Sequence, residues 1–157
     1  MRVLLAAALL LAAYGSFGAD FRKASWLMTR DQVIASEDAR VDSEREFAGQ
    51  QQLVFRAQLN GHSGSVTYLL EDNQLRAASY NFRNDDDRQM YSYMKSFLTG
   101  AYGKPAIQKD QMVGWRLDRT EIALTYLPSK ACYVAFWEKE YFARINNLDP
   151  SGEKPTF

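Results

Sequence analysis

Apolar side chains recur along this chain with two periods, and the change from one to the other marks its elements. From Asp85 to Pro105, DDDRQMYSYMKSFLTGAYGKP, the residues Met90, Tyr93, Met94, Phe97, Leu98 and Ala101 fall at spacings of three and four. That is the stripe of a 3.6-residue helix. Asp85 to Asp87 offers an N-cap at the positive end of the helix dipole, and Gly100, Gly103 and Pro105 form a stop signal. The spacing predicts a helix starting near Asp86 that buries Met90, Met94 and Phe97 against a sheet.

Period two holds on either side of this segment. Leu53, Phe55, Ala57 and Leu59 alternate with Arg56 and Gln58. The stretch Asn60-Gly61-His62-Ser63-Gly64 reads as a hairpin turn, and Ser65 to Leu70 and Leu75 to Phe82 as the next two strands. Beyond the helix, Met112 to Asp118 and Glu121 to Tyr126 alternate again, whereas Ala131 to Trp137 is apolar on both faces. Upstream, Thr29 and Gln32 make a capping box for a short helix from Arg30 to about Asp38, with Met28 and Val33 as a hydrophobic staple. Glu37 to Gln52 is polar and charged, with only Val41 and Phe47 as large apolar residues, and is expected to be a loop or a frayed helical extension. Glu138 to Asn147 is expected to form a last helix packing Tyr141, Phe142 and Ile145.

The predicted order is helix, three strands, helix, three strands. The expected fold is α+β, two α-β-β-β units forming one antiparallel sheet with the helices packed on one face.

The first residues, MRVLLAAALLLAAYGSFGAD, add a location. A basic residue, an apolar run and a small-residue site ending at Gly18 have the form of a secretory signal peptide. The apolar run is about half the roughly 20 residues that span a bilayer. The expected division is a signal peptide over 1–18, one α+β domain over 19–148 and a disordered tail over 149–157, rich in proline and glycine. The expected location is periplasmic or secreted, with no membrane span after cleavage. Removing 18 residues from 157 leaves 139, enough for one core without a disulfide. Cys132 is the only cysteine in any case. Nineteen basic residues match nineteen acidic ones, so no global charge points to nucleic acid or to anionic membrane.

Candidate chemistry changes little. His62, the only histidine, has no second histidine or cysteine cluster with which to bind zinc. The Asn84 to Asp87 run lacks the spacing of a calcium loop, and helix capping explains it. Cys132 lies in an apolar strand, where a buried inert thiol is the expected state. For a glycosidase pair, Glu121, Glu138, Glu140 or Asp118 could be nominated only by guesswork, since no spacing selects two of them, and most are expected to be solvated turn and strand-end charges. No catalytic residue, cofactor or metal is assigned. If the helices cover one sheet face, the other exposes Arg56, Gln58, Thr67, Arg116 and Thr125. The doubly apolar strand then adds either Tyr133 and Trp137 or Cys132 and Phe136. Arginine and aromatic side chains on an open sheet suit a protein interface.

Trp26-Leu27-Met28-Thr29-Arg30-Asp31-Gln32-Val33, the meander, Tyr102-Gly103-Lys104-Pro105 and Trp115 together resemble a broad group of small exported bacterial proteins. That group is similar in fold to the β-lactamase inhibitor proteins and to the small lipoprotein of the outer-membrane β-barrel assembly machine. Leu27 stands where that group usually has glycine, and no cysteine is placed to accept a lipid. The resemblance implies a non-enzymatic domain that binds another macromolecule through its sheet or loops. The expected function is an exported binding or inhibitor-like module acting on another exported or envelope protein. Two alternatives remain open: a small-molecule or lipid carrier with a pocket between helix and sheet, and a cell-wall or glycan hydrolase with a carboxylate pair.

Overall fold

The computed structural model describes residues 19–147. The expected signal peptide over 1–18 and the expected disordered tail from 149 lie outside the described residues. A short helix α1 (Arg30–Ser36) precedes four strands, β1 (Ser43–Phe47), β2 (Gln50–Leu59), β3 (His62–Glu71) and β4 (Gln74–Arg83). The longer helix α2 (Gln89–Tyr102) precedes four more, β5 (Ile107–Lys109), β6 (Met112–Arg116), β7 (Thr120–Leu127) and β8 (Ala131–Glu138). A last helix α3 (Lys139–Ile145) follows. All eight strands join one antiparallel sheet in the order β1-β2-β3-β4-β8-β7-β6-β5.

The α+β class stands, but each expected three-strand meander has a fourth strand. Ser43 to Phe47 is not a loop; it is an edge strand paired with β2 from Ser43↔Val54 to Phe47↔Gln50. An edge strand has a neighbour on one side only and little to bury, which is why its sequence shows no apolar period. The loop reading of Gln50 to Gln52 fails with it, since β2 begins at Gln50. On the opposite edge, β5 is only three residues long.

Three successive two-residue turns close the first meander: Ala48-Gly49, Asn60-Gly61 and Asp72-Asn73, all with positive φ at both positions. This is the backbone twist that matches paired strands in a tight hairpin. His62, Ser63 and Gly64 therefore belong to β3 and not to the turn. Gly64 is needed for closeness: a Cβ there would lie 2.6 Å from the Asn81 carbonyl oxygen and 2.5 Å from the Phe82 ring.

The core lies on the sheet face bearing Leu53, Phe55, Val66, Tyr68, Phe82, Val134 and Leu124, all at most 1% exposed. Helix α2 closes it with Met90, Met94 and Leu98. Phe97, expected to be central, is only half-buried and stacks on Tyr93 at 6.1 Å, and Ala101 is exposed. The start of α2 also differs from expectation. Arg88 adopts a left-handed conformation at φ 59°, so helical hydrogen bonding begins at Gln89. Asp85 still caps the helix from outside it, as its buried carboxylate accepts from Met90 N–H and Tyr91 N–H, both at 2.9 Å. At the other end Gly103 takes φ 81° and donates to the Thr99 carbonyl at 2.9 Å, while Gly100 lies within the helix.

The segment before α1 is part of this core, with Phe21, Ala24 and Trp26 buried. Trp26 Nε1 donates to Thr120 Oγ1 at 2.9 Å, and Thr29 N–H donates to Gln32 Oε1 at 2.9 Å in the expected capping box. Arg22 grips Glu37 with two bonds of 2.8 and 3.0 Å, and Tyr68 also donates to that carboxylate.

Not all helices share one face. Phe142 of α3 packs against Trp137 at 5.3 Å, and Tyr141 OH accepts from Gln50 Nε2 at 3.0 Å. Arg144 pairs with Glu71. Gln50, Glu71 and Trp137 all point away from the core, so α3, which follows the interior strand β8, turns past the strand ends and covers one end of the opposite face. Ile145, expected to pack, is 47% exposed.

Candidate functional site

The sheet face away from α1 and α2 is the candidate site, and strand pairing decides what stands on it. Side chains directly opposite one another in an antiparallel pair share a face. Following the register across the sheet gives one transverse row of Arg56, Ser65, Asn81, Tyr133, Thr125, Met112 and Lys109. Two residues further along the strands runs a row of Val54, Thr67, Ser79, Ala135, Ala123 and Gly114. A third row holds Arg45, Gln52, Leu69, Ala77, Trp137, Glu121 and Arg116.

Six of the seven candidate binding residues fall in these rows: Arg56, Thr67, Arg116, Thr125, Tyr133 and Trp137. The seventh, Gln58, lies on the same face beyond the first row, opposite Ser63. The choice left open by the sequence is settled by packing. Cys132 and Phe136 point into the core at 0% and 4% exposure, whereas Tyr133 and Trp137 stand half-buried on the open face.

The middle row is built of small side chains from Thr67 to Gly114, and its neighbours carry Tyr133 and Asn81 on one side and Leu69 and Trp137 on the other. The result is a shallow trough across the strands. A depression of about 120 Å³ lies in it, lined by Gln52, Thr67, Leu69, Ser79, Tyr133 and Trp137 among others. Asn81 Oδ1, in the trough wall, is buried and accepts no hydrogen bond. Five interstrand steps separate β2 from β6, so the floor is about 24 Å long, and the two walls stand about 14 Å apart.

Electrostatically the trough has one unusual member. Glu121 is 7% exposed, and burial raises its carboxyl above the ordinary glutamate range against the pull of Arg116, whose Nε lies 3.6 Å from Oε2. The other three acids, Asp118, Glu138 and Glu140, line one open cavity of about 350 Å³ together with Trp26, Arg76, Arg119 and Lys139, and the partners of Glu138 there are structural. Glu138 caps α3 by accepting from Glu140 N–H and Tyr141 N–H at 2.9 and 2.8 Å, and it meets Arg76 at 3.5 Å.

Asp85 to Asp87 are likewise engaged as the sequence suggested. Besides Asp85, Asp86 pairs with Lys130 at 2.9 Å and Asp87 accepts from Gln89 N–H at 3.2 Å. Among the described residues no group of three His, Cys, Asp or Glu side chains is placed to hold a metal ion. Burial pushes the Cys132 thiol up to about 12, with the Asp85 charge adding to the effect. No helix among the described residues is long and apolar enough to cross a membrane.

Sequence reasoning missed Arg45, Lys109, Ser79, Asn81 and Leu69 as members of the face. Arg45 fell in a stretch read as loop, so no parity was assigned to it. Lys109 lies in β5, a three-residue strand that the sequence pattern did not show, whereas Ser79, Asn81 and Leu69 follow from alternation once the face of one strand is known. Comparison of the chain with protein-family models, curated proteins and solved structures finds no match.

Proposed function

We propose that the protein is an exported, inhibitor-like binding module that engages another exported or envelope protein through the open sheet face and performs no catalysis. The observation that carries this reading is the convergence of Arg56, Gln58, Thr67, Arg116, Thr125, Tyr133 and Trp137 on one face that α1 and α2 leave uncovered. Arginine and aromatic side chains around a shallow depression are the composition from which protein hot spots are made. The leader-like first 18 residues and the resemblance to small exported bacterial proteins support the location and the mode. On this reading the chain is two helix-plus-meander units sharing one sheet, with the helices serving the core and the sheet serving the partner.

The packing favours this over carriage of a small molecule, because the space between α2 and the sheet is filled by Met94, Leu98, Leu124 and Val134, none more than 1% exposed. A photocrosslinking residue placed at Thr67 or Thr125, and in a control at exposed Ser96 on α2, tests the proposal in the native envelope. The expected result is one recurring protein adduct from the two sheet positions and none from Ser96. Adducts absent from the sheet positions, or equally abundant at Ser96, would overturn it.

A further inference from the structure

The chain's net charge of zero conceals a division between its two faces. On the open face the strands present five basic residues, Arg45, Arg56, Arg83, Lys109 and Arg116, against two acids, Glu71 and Glu121. Neither acid is free to repel an anion. Glu71 is held by Arg144 of α3, and Glu121 is buried beside Arg116. The described residues carry equal numbers of basic and acidic side chains, so the excess on this face is balanced by acids on the helical side and in the turns.

The placement is as informative as the count. One wall of the trough runs from Arg56 on β2 to Lys109 on β5, and the other from Arg45 on β1 to Arg116 on β6. Each wall thus ends in a cation at both ends. Arg56 is bridged to Asp42 at 2.7 Å and Arg116 to Glu121 at 3.6 Å, so the diagonal corners Arg45 and Lys109 are the two without an acid partner among the described residues; the floor between the walls is small, neutral and in part apolar. We infer that the trough receives an acidic segment of a partner protein, lying across the strands, with carboxylates at its ends and a short uncharged middle. This rests on the proposed protein-binding role of the open face and specifies the chemistry of the partner. The depression of about 120 Å³ between Leu69, Tyr133 and Trp137 takes an uncharged side chain of the segment. A uniformly anionic polymer fits less well, since the cations stand at the corners and not along the floor.

The test uses purified ¹⁵N-labelled protein titrated with a synthetic peptide of about 12 residues, long enough to cross the floor when extended. The peptide carries glutamates at both ends and leucine and alanine between them. Its counterpart with lysine for glutamate, phosphatidylglycerol vesicles and polyuridylate are run beside it. The expected result is saturable shifts of the Thr67, Ser79, Ala123, Tyr133 and Ala135 amides with the acidic peptide alone, weakening as salt is added. The double variant Arg45→Glu/Lys109→Glu, altering diagonally opposed corners, should lower that affinity about tenfold or more with an otherwise unchanged spectrum.

Shifts of the same amides by the lysine peptide, or no loss in the double variant, would overturn the acidic chemistry and leave the binding face standing. Response only to vesicles or polyuridylate would overturn the assignment to a protein. Shifts confined to α1 or α2, or none with any probe, would remove the open face itself.

Discussion

Asp85 and Tyr91 are joined by a 2.9 Å hydrogen bond in which the backbone N–H of Tyr91 donates to the Asp85 carboxylate, itself only 1% exposed. The second oxygen takes the N–H of Met90, so one side chain satisfies two of the amides that a helix start leaves without partners. Asp85→Ala strands both in a buried corner and should cost about 2–4 kcal/mol, more than loss of an exposed cap. Asp85→Asn keeps one acceptor and should cost less. Urea unfolding of the two variants checks the order; equal costs would show that the carboxylate is not the working cap.

Burial along α2 ranks its apolar residues differently from the sequence. Met94→Ala, at a position 1% exposed, should lose about 2–5 kcal/mol. Phe97→Ala, at a half-buried position, should lose less. The comparison is made by thermal and denaturant unfolding of the pair. A larger loss for Phe97 would place the helix in a rotation other than the one described.

Glu121 gives a signed dependence on pH. Burial raises its pKa in the folded chain, so the protonated form is favoured there. Its contribution is favourable at acid pH and is lost as pH rises from the unfolded value through the higher folded one, leaving a penalty at neutrality. Glu121→Gln should therefore raise Tm at neutral pH, with the advantage fading toward about pH 4, near the ordinary glutamate range. A Gln variant less stable at neutral pH would mean that the Arg116 pair outweighs burial.

Cys132 should be inert in the native state. With its thiol pushed up to about 12, the reactive thiolate is scarce at neutral pH, and the side chain is 0% exposed. Labelling by a disulfide reagent should be slow and should track the unfolding equilibrium as urea is added. Rapid labelling without denaturant would show that the β8 core opens locally.

Period and turn chemistry were the legible parts. Alternation at Leu53, Phe55, Ala57 and Leu59 put Arg56 and Gln58 on a common face, and parity carried the same division to Thr67, Thr125 and Arg116. The same signal was absent at Ser43 to Phe47, where an edge strand buries too little to leave an apolar period. In β8 it was ambiguous, because Ala131 to Trp137 is apolar on both sides.

Sequence alone therefore determined the class of fold, the elements with strong periods, the capping box at Thr29 and most of the open face. Those features rest on contacts between residues near in the chain or on a period that repeats within one strand. Only the tertiary structure decided that β4 pairs with β8, that α3 crosses to the other face, and that Arg45, Arg56, Lys109 and Arg116 stand at the ends of two parallel walls. Each of those facts depends on a register between strands remote in the chain, set by which side chains fill a shared core and not by any pattern within one segment.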